Sequence, residues 1–219
     1  MSPGRTASPR SKAESPTPRR YESPLRAQRA EETRTKLIAT ATELFVSNGW
    51  ANTGMRDVAR EAGVAVETLY KHYSSKRVLL NAVIDNAVAG DDEPVPVAER
   101  PQFLALGRGR RSERITAAAS IITTIHGRTA PFAKLIREAA CTDSEIAEVL
   151  RATRERQRLD VEAGVHLVLD RPPTDEERDG VWAILSPEVY LLLVEETGWT
   201  VEHFERWMAE TLTRVLPRS

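Results

Sequence analysis

Between positions 68 and 76 the chain gathers Thr68, Tyr70, Lys71, His72, Tyr73, Ser74, Ser75 and Lys76 into one compact block. Tyr and Ser hydroxyls and backbone N–H groups donate to phosphate oxygens, lysine adds charge, and a helix N-terminus adds its dipole, so the block suits a polyanion. A buried helical corner gives little reason to collect such groups. Catalytic chemistry finds no comparable support. The four histidines, at 72, 126, 166 and 203, lack a ligand spacing such as His-Glu-x-x-His, and the single thiol, Cys141, has no evident base beside it. We therefore expect no catalytic residue, no metal site and no cofactor.

The elements that must position the block can be read from spacing. Leu37, Ile38, Ala41, Leu44 and Phe45 recur at helical intervals from Glu31 onward, and Asn48-Gly49 supplies a left-handed stop, predicting a first helix of about 18 residues. Thr53 can cap a short second helix with Met55, Val58, Ala59 and Ala62 inward, ending at Gly63. A turn through Gly63-Val64-Ala65 leads to a third helix, Val66 to Tyr73. Ser74 or Ser75 then caps a fourth, carrying Leu79, Leu80, Val83, Ile84, Ala87 and Val88 as far as Gly90. Two short helices joined by about three residues meet at a steep angle, so that the second can enter a DNA major groove while the first crosses the backbone. The same pattern also describes an ordinary helical corner, and composition of the third helix is what favours DNA.

The rest reads as helix as well. Residues 91–111 resemble a linker, with a short helical piece around Phe103 to Leu106. Ser112 opens a helix through Ile125, and Thr129 to Ala140 follows as a separate one after Gly127. Thr142 and Glu145, then Thr174 and Glu177, form capping boxes for two further helices, the first reaching about Leu169. Pro187 should kink the second, Gly198 stops it, and Thr200 caps the last. The reading is all-α, about nine helices: a three-helix helix-turn-helix domain and a helical domain behind it. The boundaries are 1–29, 30–90, 91–111 and 112–219.

Composition narrows the setting. The 219 residues hold 31 Lys and Arg, 32 Asp and Glu and one Cys, for a net charge of -1. One thiol excludes an internal disulfide and fits a reducing, cytoplasmic compartment. Neither a span of roughly 20 apolar residues nor the apolar core of a signal peptide is found, so no membrane partner is expected. The near-zero charge is uneven, with a net of +5 over residues 1–29, zero over 30–90 and -6 over 91–219. Residues 1–29, with five Pro and five Ser, read as disordered. They are either a solvated tail or an arm whose Arg19, Arg20, Arg26 and Arg29 touch phosphates.

Ala41-Thr-Glu-Leu-Phe45, Gly49-Trp50, Thr53 with Asp57-Val58-Ala59, Ala62-Gly63-Val64 and Thr68-Leu-Tyr-Lys-His-Tyr-Ser-Ser-Lys76 together closely resemble the DNA-binding domain of TetR-type transcriptional regulators. The resemblance covers about 60 residues, 31 to 90. It implies that Thr53 contacts phosphate at the start of the second helix and that Arg56 reaches the backbone or a base. Tyr70, His72, Ser75 and Lys76 would position phosphates, with Lys71 nearby, and Val66, Glu67 and Thr68 would face base edges. The family commonly places Ser and then a polar residue where this chain has Ala65 and Val66. Ala65 has no side chain to cap the helix, and Val66 offers a methyl surface suited to thymine. Glu67 would accept from a cytosine amino group or face water.

Behind the DNA-binding segment the resemblance extends to architecture alone. It implies a homodimer whose last two helices form a four-helix bundle, here with Val189, Leu192, Leu193, Phe204, Met208 and Leu212 at the seam. It further implies a small-molecule effector, for which His126 and Trp182 are candidate contacts. His126 reads more readily as a satisfied interior histidine, and Trp182 as core or interface. The expected protein is a dimeric repressor released from an inverted-repeat DNA operator by a small apolar ligand. A constitutive DNA-bound adaptor whose C-terminal face binds another protein is the alternative.

Overall fold

The computed structural model describes residues 24–216 apart from 92 and 94. Among the described residues the chain is all-α, an N-terminal helix-turn-helix domain followed by a larger helical domain. The helices are α1 (Pro24–Asn52), α2 (Met55–Glu61), α3 (Val66–His72), α4 (Lys76–Ala89), the one-turn α5 (Pro101–Leu104), α6 (Arg111–Ala140), α7 (Ser144–Leu169), α8 (Asp175–Ile184), α9 (Pro187–Tyr190) and α10 (Val201–Val215). No helix among the described residues is long and apolar enough to cross a membrane.

Local signals act as expected at most ends. Gly49 breaks the helical run of α1 at φ 78°, and Gly63, Gly90 and Gly198 also take positive φ where chain direction changes. Gly63 closes α2 in a Schellman arrangement, its N–H reaching the Arg60 carbonyl at 3.1 Å while Val64 N–H reaches Ala59 at 2.9 Å. Ser75 caps α4 by accepting from Val78 N–H, Thr174 and Glu177 form the reciprocal box of α8, and Thr200 accepts from His203 N–H at the start of α10.

Several expectations are corrected. The first helix begins at Pro24, so residues 24–29 are helical rather than disordered; the arm's residues 1–23 lie outside the described residues. Segment 91–111 is not a bare linker. Arg100, 7% exposed, makes a two-pronged pair with Asp91 at 2.6 and 2.8 Å and donates to the Val95 and Glu93 carbonyls, tying the segment into a knot that buries Phe103 and Leu106. The helix at 112 and the one at 129 are a single α6, which continues through Gly127 and Pro131. Pro131 costs that helix a backbone donor, yet Ala130 and Phe132 on either side of it are buried, and packing outweighs propensity. Asp143, not Thr142, caps α7, its Oδ1 accepting from the N–H groups of Glu145 (2.9 Å) and Ile146 (3.3 Å). Pro187 does more than kink its helix: α8 ends at Ile184, and Pro187 stands at the first turn of α9, where its missing N–H costs nothing.

Two apolar cores result. The first joins α1 to α4 and takes in Phe132, Leu135 and Ile136 of α6 with Ile146 and Val149 of α7. The second lies among α5, α6, α7, α8, α9 and α10. Helix α6 runs through both and so connects α1 to α4 to the rest mechanically. Phe204, Met208 and Leu212, expected at a dimer seam, are 0–2% exposed inside the second core. These three side chains pack within the second core of their own protomer.

Candidate nucleic-acid interface

Helix α3 is held by Leu69, fully buried, and by Tyr73, 5% exposed. These two anchors, with Ala62 beneath the turn, leave Ala65, Glu67, Tyr70 and Lys71 exposed and Val66, Thr68 and His72 partly so. Tyr70 is 49% exposed, an aromatic hydroxyl with no intramolecular duty. Arg56 is exposed on α2. Ala65 occupies the cap position of α3 with no side-chain bond, as its identity requires. The outward face of α3 therefore holds one methyl-rich position, one acid and a Tyr-Lys pair, followed by Ser75 at the start of α4. The Ser75 oxygen accepts from Val78 N–H at 3.2 Å, which leaves the hydroxyl proton to donate outward.

Two residues expected here are committed elsewhere. Thr53 is 1% exposed, and its hydroxyl lies 3.0 Å from the Leu44 carbonyl and 2.9 Å from the Gly49 carbonyl, so it stitches the broken end of α1. The cap position of α2 falls to Gly54, whose N–H donates to Asp57 at 3.0 Å. Lys76 is turned inward: Nζ donates to the Trp50 carbonyl and lies 3.9 Å from the centroid of the Trp50 ring. Burial holds its pKa below the usual lysine value, against the opposing field of Asp143. Replacing Thr53 with Val is accordingly expected to lower folding stability by about 1–2 kcal/mol in urea titration, with affinity for random duplex unchanged. A large affinity loss at unchanged stability would return the hydroxyl to the interface.

What Lys76 joins leaves no mark in residue type. Trp50 Nε1 donates to Asp143 Oδ2 at 2.8 Å, so the carboxylate that caps α7 also grips the end of α1 across 93 positions. That bond is the largest cause of the lowered Asp143 pKa. Further along, Arg128 of α6 donates to the Ala87 and Val88 carbonyls at 2.8 and 2.9 Å, occupying the last turn of α4, and Arg156 of α7 pairs with Asp85 at 3.0 Å. Helix α4, which directly follows the α3 block, is thus clamped to both long helices of the second domain.

Behind α4 lies a cavity of about 680 Å³. It is bounded on one side by Ala82, Asp85 and Ala89 of α4 and on the other by α6 and α7, and it extends to Leu212 and Leu216. His126 lines it and is 1% exposed. Its Nε2 is 3.0 Å from the Leu185 carbonyl and must donate, leaving Nδ1 as a bare acceptor without a partner. Burial depresses the His126 pKa to about 4. Trp182 does not line this cavity; it packs against the second core and borders a smaller surface recess with Leu150 and Arg154. Among the described residues no cluster of His, Cys, Asp or Glu has the makings of a metal site.

Residues 37–83 match the profile of bacterial regulatory proteins of the tetR family. The chain is 42% identical over 64 residues to the transcriptional activator FasR of Mycolicibacterium smegmatis, a segment that is 27% of this chain and 29% of that protein. It is 33% identical over 70 residues to the transcriptional regulator UidR of Escherichia coli K12, covering 30% and 36% respectively. The similarity thus spans about a third of these relatives' length. Over 85% of the chain the fold is similar to solved TetR-family structures from Streptomyces coelicolor (TM-score 0.62, 21% identity, 99% of that chain) and Syntrophomonas wolfei (0.65, 16%, 96%).

Proposed function

Since residues 37–83 belong to the TetR family of bacterial regulatory proteins and form its DNA-binding helices, we propose that the whole chain is a cytoplasmic, homodimeric repressor released from an inverted-repeat operator by a small molecule. Each protomer presents α3 to the major groove, so two half-sites lie about one helical turn, roughly 34 Å, apart or at a multiple of it. Tyr70, Lys71, His72 and Ser75 position the phosphates, and Val66, Glu67 and Thr68 face the bases, with a thymine methyl the natural partner of Val66. Leu192, 51% exposed, with the half-buried Val189 and Leu193, supplies the dimer seam that Phe204, Met208 and Leu212 do not.

The observation that carries the ligand response is the cavity bordered by α4. A molecule seated there presses on the helix that Arg128 and Arg156 hold, and so alters the separation of the two α3 helices. Release requires that the ligand bind the DNA-incompetent arrangement more tightly, by several kcal/mol for a complete switch. A cavity of about 680 Å³ is of ordinary ligand-site size. That size weighs against the adaptor reading, which needs no interior space.

Sequencing of genomic fragments retained by the purified dimer, beside a Tyr70→Ala, Lys71→Ala control, tests the proposal. One inverted repeat enriched by the native protein and not by the control is the expected outcome. Equal retention of random duplex by both proteins would overturn it.

A further inference from the structure

The face that must meet a polyanion is neutral by itself. From Thr53 to Ser75 the chain has three cations, Arg56, Arg60 and Lys71, and three acids, Asp57, Glu61 and Glu67. Arg60 is moreover tied to Asp57 at 2.8 Å. Lys76, which would add charge at the end of the block, has its ammonium on the Trp50 carbonyl and over the Trp50 ring. Affinity for duplex DNA comes largely from cations that displace condensed counterions at its phosphates, so α2 and α3 need positive charge from their neighbours.

Two neighbours hold it. Lys36 of α1 is exposed, outside the buried stripe of Leu37, Ile38 and Ala41. A Cβ added at Gly63 would lie 3.7 Å from Lys36 Nζ, which sets the ammonium against the α2–α3 turn, two residues ahead of the Ala65 cap of α3. Arg77 is exposed in the first turn of α4, two residues past the Ser75 cap. Neither enters an ion pair among the described residues, whereas Arg60, Arg151 and Arg158 each hold a carboxylate. One uncommitted cation thus stands at each end of α3. That helix has seven residues and is about 10 Å long, against a major groove about 12 Å wide with a phosphate row along each edge. Set in the groove, its two ends come near the two rows.

We propose that Lys36 and Arg77 bracket α3 as a pair of phosphate contacts, one on each edge of the groove, and supply the charge that Lys76 withholds. The assignment rests on the reading of α3 as the groove-facing helix. Both residues belong to other helices, α1 and α4, so they fix the register of α3 on the duplex without selecting a sequence. Arg77 offers a planar fork to two phosphate oxygens, and Lys36 a point charge. Were the two ordinary solvated cations, their removal would leave binding and its salt dependence as they are.

Anisotropy titration of the full chain against a labelled mixed-sequence duplex of about 30 base pairs, roughly three helical turns, over a series of KCl concentrations tests the pair. The slope of log affinity against log salt is expected to shrink by about 1 for Lys36→Gln, by about 1 for Arg77→Gln and by about 2 for the double variant. Lys36→Arg, which keeps the charge, should restore the native slope. Arg108→Gln is the charge-matched control: it removes an exposed cation just ahead of α6, whose other end packs on α1 to α4, and salt screens it from the DNA at that distance. An unchanged slope for Lys36→Gln or Arg77→Gln, while the native protein binds duplex, overturns the bracket and leaves α3 as the groove-facing helix. A slope reduced by Lys76→Gln but kept by Arg77→Gln would mean that Lys76 turns outward on DNA, and overturns it too. No salt-dependent binding by the native protein overturns the DNA-binding reading itself.

Discussion

Replacing Phe204 with Ala is expected to lower folding stability by about 3–5 kcal/mol, the range for truncating a buried Phe, seen as a fall in the urea midpoint. Phe204 has no exposed surface, meets Tyr190 edge to face at 5.0 Å between ring centroids, and has Trp207 at 6.0 Å. Tyr190 in turn lies 5.8 Å from His126, so the removed ring supports the wall of the cavity as well as the seat of α10. The opposite behaviour is expected at Leu192. If Leu192 forms the proposed seam, Leu192→Lys should dissociate that dimer, read by sedimentation, while each protomer keeps its helical content, because the side chain is half exposed and outside both cores. A Phe204→Ala variant that melts like the native protein but sediments as a monomer would return α10 to the seam.

Phe204 shows what the spacing of the last helix leaves open. Val201, Phe204, Met208 and Leu212 announce one apolar face, but spacing does not say which surface that face meets. The same division runs through the whole molecule. Glycine at 49, 63, 90 and 198, and the caps Ser75, Thr174 and Thr200, act through bonds within a few residues, so each could be placed by reading along the chain. The continuity of α6 through Gly127 and Pro131 could not, because what overrides the local breakers is packing against α1, α4, α7 and α10.

The interface divides likewise. Tyr70, Lys71 and Glu67 are exposed because Leu69 and Tyr73 anchor the other face of α3, a periodicity visible in seven residues. Thr53 and Lys76 have the right chemistry for phosphate, but their actual partners are the carbonyls of Leu44, Gly49 and Trp50. Backbone oxygens leave no trace in residue type. The clamp from Asp143 to Trp50, and those from Arg128 and Arg156 to α4, join residues 40 to 93 positions apart and are accessible only once the chain has folded.

Acidification from pH 6.5 towards 4 is expected to remove about 3 kcal/mol of stability through His126 alone, at 1.36 kcal/mol per pKa unit. The ordinary imidazole value of about 6.5 falls to about 4 in the fold, chiefly because burial disfavours the charged ring, and the opposing Leu185 bond and Glu188 field are too weak to restore it. The folded state therefore binds fewer protons than the unfolded chain across that window. The contribution is fully present above the unfolded value and is lost as pH falls towards the folded one. The paired carboxylates act lower. Asp91, Glu177 and Asp179, bonded to Arg100, to Arg171 and to Arg178 with Arg158, are held near 2, so their contributions persist until pH drops below the ordinary carboxylate range of about 4. Urea midpoints between pH 7 and 5 should thus fall more steeply for the native protein than for His126→Gln, which keeps a donor for the Leu185 carbonyl but does not titrate. Equal slopes would mean that water reaches the ring in the fold.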